Sequence, residues 1–174
     1  MGLVRKSLDG LYALSGVLAA VCLVGILLLI VVQMLARWTG EVFPGAPDYA
    51  GYTMAAASFL AFASALNKGS HIRVSIVLNL LGPKPRWMLE IWCFAVGTAV
   101  AWYVAYYSWR LIGFALKFND VSQGQDATPL WIAQMPMLVG AIVLAVALTD
   151  NLITLIFTGN HRIQRDLAGE SHAE

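Results

Sequence analysis

Residues 67–87 read NKGSHIRVSIVLNLLGPKPRW and hold four of the eleven Lys and Arg residues, Lys68, Arg73, Lys84 and Arg86, between long apolar runs on either side. The segment is too short and too charged to cross a bilayer, yet too apolar for an ordinary loop. Projected as a helix over 70–81, it places His71, Ser75 and Asn79 on one stripe. Ile72, Val74, Ile76, Val77, Leu80 and Leu81 fill most of the remaining arc. The pattern predicts an amphipathic helix lying on the membrane surface with its apolar arc down. Arg73 falls inside that arc and has to snorkel to headgroups or pair with an acid. Gly82, Pro83 and Pro85 end the helix before the next apolar run. His71, Ile72, Arg73, Ile76, Leu80, Lys84 and Arg86 are the candidate membrane-interface residues. The plainer reading is a basic connector whose apolar residues pad a helix end.

Working outward, the composition is that of a membrane protein. Hydrophobic residues make up 59% and charged residues 12% of the chain, with a mean hydropathy of +0.71. A soluble domain carries about 25% charged residues. The net charge of +1 leaves no electrostatic footprint for nucleic acid. Cys22 and Cys93 each sit inside an apolar run without a CxxC spacing, and read as small buried hydrophobes rather than redox or metal groups. No internal repeat is evident.

Residues 10–36 contain no charge, and as a helix they extend roughly 40 Å, more than the roughly 30 Å hydrocarbon core. A cleaved signal peptide would have a much shorter apolar region followed by a small-residue cleavage site, so this is read as a retained first span. Gln33 and Arg37 close it, and a turn-rich link with two prolines and two glycines follows. The second span, 49–67, is rich in small side chains: Gly51 and Ala55 recur at four-residue spacing, as do Ala57, Ala61 and Ala65. Such stripes let helix backbones approach closely in lipid, so this face is the candidate helix-packing surface.

The third span, 88–110, is aromatic at both ends, with Trp87 and Trp92 at one and Trp102, Tyr103, Tyr106, Tyr107 and Trp109 toward the other, as interfacial belts are. Trp102 is deep for a belt residue and could instead pack on a partner. Glu90, four residues after Arg86, reads as a local ion pair before it reads as a proton carrier, which would sit nearer mid-membrane. Residues 110–129 form the longest polar connection. The fourth span, 130–157, carries one charge, Asp150, near its far end, where it pairs with a base at an interface. Glu90 and Asp150 are therefore structural charges.

The fold class predicted is all-α integral membrane, a single domain of four transmembrane helices plus the surface helix between spans two and three. Eight Lys and Arg residues lie in the amino-terminal lead, the 68–90 connector and the tail, against three (Arg37, Arg110 and Lys117) in the other two connections. The positive-inside rule then places both termini in the cytoplasm. The outward connections carry Glu41, Asp48, Asp120 and Asp126.

Enzyme motifs are absent: there is no HExxH, GxSxG or Gly-rich phosphate loop, and the three histidines have no ligand-spaced companion. No cofactor is implied. A self-sufficient transporter shows charged or helix-breaking residues at mid-membrane, where this chain has Leu, Val, Ala, Gly and aromatics. The residues favour an accessory subunit packed against another membrane protein; the alternative is a stand-alone homo-oligomeric transporter or channel.

The chain resembles the small membrane subunit, the Q component, of tripartite ATP-independent periplasmic (TRAP) transporters over about residues 5–160. The second span leads into KGSHIRV at 68–74, where the family has a Gly–X–His–Ile–X–Val-like run, and Pro129, Leu130 and Trp131, with Pro136 to Gly140 beyond, fit the opening of the fourth span. Family members often carry an acid just after the His–Ile run, where this chain has Ser75. The resemblance implies a large membrane subunit that moves sodium and a carboxylate solute, such as a C4-dicarboxylate or a sialic acid, by an elevator motion. It also implies a periplasmic substrate-binding protein, a setting in the bacterial inner membrane among its lipids, and a bracing role for this chain. By that analogy the small-residue face of span two, or the apolar faces of spans one and four, would meet the large subunit. Glu41, Asp48, Asp120 and Asp126 would be candidates for docking the binding protein.

Overall fold

A computed structural model describes residues 2–41, 44–67, 83–125 and 127–158, the side chains of 2–5, 83, 84 and 86 excepted. Four helices account for nearly all of it: α1 (Gly2–Thr39), α2 (Ala46–Asn67), α3 (Pro83–Phe118) and α4 (Leu130–Thr158). All four are long and apolar enough to cross a membrane. In hydrocarbon every backbone N–H and C=O has to be satisfied within its own segment, and uncharged runs of this length meet that demand as helices. The described chain is thus the all-α, four-helix membrane protein that its composition predicts. The surface helix expected at 70–81 lies outside the described residues.

The helices reach further than the uncharged runs alone. α1 includes the basic lead, and α3 runs on through Arg110 and Lys117, so the connection read as 110–129 begins only at Asn119. Long basic side chains can continue a helix past the apolar run by turning their charge outward. Pro83 and Pro85 open α3 rather than interrupt it, since the first turn of a helix has no use for their missing N–H groups. α1 and α3, of 38 and 36 residues, are about 57 and 54 Å long, whereas α2, at 22 residues, is about 33 Å and matches the hydrocarbon thickness.

Two of the helix ends are closed in the same way. Gly40 takes the left-handed conformation (φ 82°) while Gly40 N–H donates to Arg37 C=O and Glu41 N–H to Ala36 C=O. At the end of α3, Asn119 adopts φ 51° and Asp120 N–H donates to Ala115 C=O at 3.0 Å. Both are six-to-one closures that satisfy a last-turn carbonyl, with the two residue types that enter that conformation most readily.

The helices form an open row in the order α1, α2, α4, α3, with α1 touching α4 only lightly and α3 barely meeting α1 or α2. The middle of the row is tight. An added Cβ at Gly140 of α4 would lie 2.5 Å from the carbonyl carbon and oxygen of Phe59 in α2, and one at Gly16 of α1 would lie 2.6 Å from Ser64 Oγ. The core cluster joins Tyr12, Ala63, Leu66, Val143 and Ala147, with Leu8, Phe94, Leu144 and Leu148 packed around it. α4, flanked on two sides, is buried along two faces, including Leu138, Ala141, Val143, Ala145, Ala147, Asn151 and Leu155. The open arrangement leaves α1 and α3 as edges with large apolar side chains facing outward.

Candidate functional site

Among the described residues, the features that can carry function are the faces and ends of the row. At the end where α1 finishes and α2 begins, the residues between α3 and α4 fold back into a compact loop. Val121 and Pro129 form an isolated antiparallel bridge, Ser122 N–H donates to Thr128 C=O at 2.8 Å, and Leu130 N–H donates to Asp120 C=O at 3.0 Å. Ala127 is held at φ 48°, which costs a residue with a Cβ about 1–2 kcal/mol.

This loop is fastened to the start of α2. Gln125 N–H donates to Asp48 Oδ2 at 3.2 Å, and Tyr52 Oη lies 2.5 Å from Ser122 Oγ, which also accepts Gly124 N–H at 3.1 Å. Asp48 stands in the first turn of α2, where a carboxylate also suits the exposed N–H groups and the positive end of the helix. Gly124 passes so close that any Cβ there would run into the Asp48 carboxylate. The two connections expected to face outward are therefore joined into one platform. Its acids have unlike positions: Glu41 and Asp120 are exposed, Asp48 is half-buried and holds the loop, and Asp126 lies outside the described residues.

At the opposite end lie Glu90 and Asp150, the two residues expected to be structural charges. Glu90 is 8% exposed and Asp150 half-buried, and each makes an interaction within the chain. Lys84 and Arg86 belong to the first turn of α3, but their side chains, including the one expected to pair with Glu90, are outside the described residues. His71, Ile72, Arg73, Ile76 and Leu80 are outside them as well.

The small residues of α2 divide between two uses. Ala57 is buried with Ala56, Leu60 and Ala63, while Ala55, Ala61 and Ala65 are half-buried and Gly51 is exposed with nothing near its Cα face. Ala61, Ser64 and Ala65 face Ala13, Gly16 and Ala20 of α1 across a shallow groove of about 600 Å³. The buried arc of α2 is broader than a single four-residue stripe because the helix is packed on both sides. Trp102 makes a contact that the sequence reading did not identify: its Nε1–H donates to Thr149 Oγ1 in α4 at 3.2 Å.

The residue pattern missed by the sequence reading is on α3. Ala101, Ala105, Ser108, Ile112 and Ala115 are all buried, a small-residue seam against α4 with alternating four- and three-residue spacing. The rest of the helix from Trp102 to Phe118 is exposed apart from half-buried Val104, including Tyr103, Tyr107, Arg110, Phe114 and Lys117. The signal is present in the sequence, but Arg110 reads there as the end of the span.

Four membrane-length helices in a row, with bulky open edges, define a multi-pass membrane protein. Residues 26–158 match the family model of tripartite ATP-independent periplasmic transporters, DctQ component, and the chain belongs to that family. It is accordingly the small membrane component of a three-part transporter with a large permease and a periplasmic binding protein, and not an enzyme. No curated protein matches the sequence.

Proposed function

We propose that this chain is the stationary scaffold of a sodium-driven importer of a carboxylate solute, bracing the large subunit while that subunit moves sodium and substrate. The observation that carries this reading is the continuity of the helices. α4 passes unbroken through Pro136, and no described helix is interrupted at mid-length. Membrane sites for substrate and coupling ions are built from interrupted helices whose freed carbonyls and N–H groups supply the ligands. Unbroken helices keep those groups in their own hydrogen bonds and resist deformation, which suits the fixed side of an elevator. Belts of Trp and Tyr on α3 add anchoring against vertical slip. Both termini belong in the cytoplasm by the distribution of Lys and Arg, with the predicted surface helix 70–81 bracing the complex at that face.

The same orientation puts the platform of Glu41, Asp120 and the loop 119–129 outside, where it would receive the binding protein. Asp48 acts there as the residue that holds the platform in shape. A crosslinking scan from positions 41 and 120 that never captures the binding protein during transport would remove this docking role.

A scaffold residue affects transport through the amount of complex, not through solute affinity. Glu90→Ala, which opens a buried polar site at the cytoplasmic end, should lower complex abundance several-fold with the solute KM unchanged; Asp150→Ala should do the same more weakly. Normal complex levels with a shifted KM would place these residues on the transport path and contradict the scaffold reading.

A further inference from the structure

The row is uneven at the end where α2 finishes. α2 and α4 run the same way, since Asp48 at the start of one holds the loop that leads into the other. Gly140 of α4 stands against Phe59 of α2, so at 1.5 Å per residue Asn151 lies level with a position just past Asn67, and Leu155 lies about 10 Å beyond Asn67. Gly97 of α3 stands against Leu148 of the antiparallel α4, which sets Glu90 level with Leu155 and Pro83 about 20 Å beyond Asn67. α1, placed by Gly16 against Ser64, also continues past Asn67 through Tyr12 and Asp9. α2 thus stops short of the other three helices and leaves a recess beside the last turns of α4. Asn151 and Leu155, the largest side chains buried almost completely, both lie at this recess. Asn151 Nδ2 donates to Ala147 C=O at 2.8 Å, while its Oδ1 has no hydrogen-bond partner among the described residues. α3 flanks these turns on one side and α1 meets α4 only lightly, so the side that α2 has left needs another cover. Lipid tails carry no donor for Asn151 Oδ1, so a cover of polypeptide suits it better.

The ends of the connection 68–82 point to the occupant. Because α4 stands between α2 and α3 in the row, the chain from Asn67 to Pro83 has to cross α4, starting near the level of Asn151 and finishing beyond that of Glu90. The helix expected at 70–81 would be about 18 Å long, enough to span the recess. Its charge pattern selects the face that turns inward. Arg73 is two residues from Ser75, hence about 160° round from the centre of the polar stripe of His71, Ser75 and Asn79, in the middle of the apolar arc. With that arc turned to lipid, the guanidinium would be the deepest group and would have to reach round half the helix to water. Turned to the row, it meets an acidic rim. Asp9 on α1 and Asp150 on α4 are half-buried and Glu90 on α3 is buried at this end, each engaged within the chain. The tail beyond Thr158, the other segment that starts here, is polar and mixed in charge and offers no comparable apolar arc.

We infer that residues 70–81 seat their apolar arc in this recess, over Asn151 and Leu155 and with Arg73 toward the acids, instead of resting that arc on lipid. The segment then ties the end of α2 to the last turns of α4 and the first turns of α3. These contacts lie within the chain and do not depend on the scaffold reading. A photo-reactive aliphatic amino acid, little larger than leucine, would be placed at position 76 or 80 in the arc, or at 75 on the polar stripe, in the full chain in native membranes. Mass spectrometry would then map the adducts. Positions 76 and 80 should join to peptides of 146–158 or 83–94, and position 75 to neither. Arg73→Glu sets a like charge against the acids and should lower those adducts several-fold, and Arg73→Lys much less. Lipid adducts at 76 and 80 in place of protein ones would overturn the seat, as would equal capture of α4 from 75 and 76. Adducts undiminished in Arg73→Glu would overturn the pairing of Arg73 with the acidic rim.

Discussion

The middle of the helix row and its two edges follow opposite rules. Between α2 and α4 the side chains are small and the backbones close, with Gly140 against the Phe59 carbonyl and Ala56, Ala57 and Ala63 buried alongside. At the edges the side chains are large and turned outward, as with Leu27, Leu28 and Leu35 on α1 or Tyr103, Trp109 and Phe118 on α3. In water this contrast would be inverted, because bulky apolar side chains would be gathered inside. In lipid no hydrophobic gain separates inside from outside, so helices associate where backbones can approach and dispersion contacts are dense. Size, rather than polarity, distinguishes the chain's own core from the surfaces it offers to lipid and partners.

The contrast is most directly broken in the middle. Gly140→Ala places a methyl group against a backbone carbonyl that cannot rotate away, and should destabilise the α2–α4 contact by about 3 kcal/mol, the upper part of the range for overpacking. The loss should show as a lowered thermal midpoint of the purified chain in detergent. Gly16→Ala, by comparison, meets Ser64 Oγ, which can rotate, and Ser64 Cβ at 3.0 Å, which cannot, so a smaller loss of about 1 kcal/mol is expected. Equal losses at the two sites would mean that the α1–α2 and α2–α4 approaches are equally rigid.

A smaller effect is expected at the platform of Asp48 and the loop 119–129. Asp48→Ala removes the acceptor for Gln125 N–H at a half-buried site, and should release the loop 119–129 at a cost of about 1 kcal/mol. Limited proteolysis in that loop should quicken while the thermal midpoint of the helices stays nearly constant. An unchanged cleavage rate would show that the Tyr52–Ser122 contact holds the platform alone. The smallest effect belongs to the α1 edge. Leu27→Met exchanges one flexible apolar side chain for another and should change neither the thermal midpoint nor recovery of the large permease. A loss of recovery there would give α1 a protein contact.

The four spans were legible because uncharged runs of 19 residues or more leave few other structures open to a backbone in lipid. Their ends were less so. Arg110 and Lys117 read as the start of a loop, although a helix can carry both on one outward face, and the stop at Asn119 was the only local mark of the true end. The small-residue character of α2 was visible, but the arc it buries was not, since that depends on α1 and α4 lying on opposite sides. The latch between Asp48 and the loop 119–129 joins residues 77 positions apart, and nothing in either stretch alone announces the other. Acids in the two connections could be named from the sequence; that one of them organises the platform could not.

The central claim is that this chain works as the fixed partner of a larger transport subunit. The most direct measurement is to express it tagged beside its neighbouring genes, solubilise the membranes in mild detergent, and assay the purified material for stoichiometry and for solute uptake in liposomes. Equal amounts of this chain and a large many-helix subunit are expected, with uptake requiring both together with the binding protein. A homo-oligomer of this chain that moved solute without any partner would contradict it.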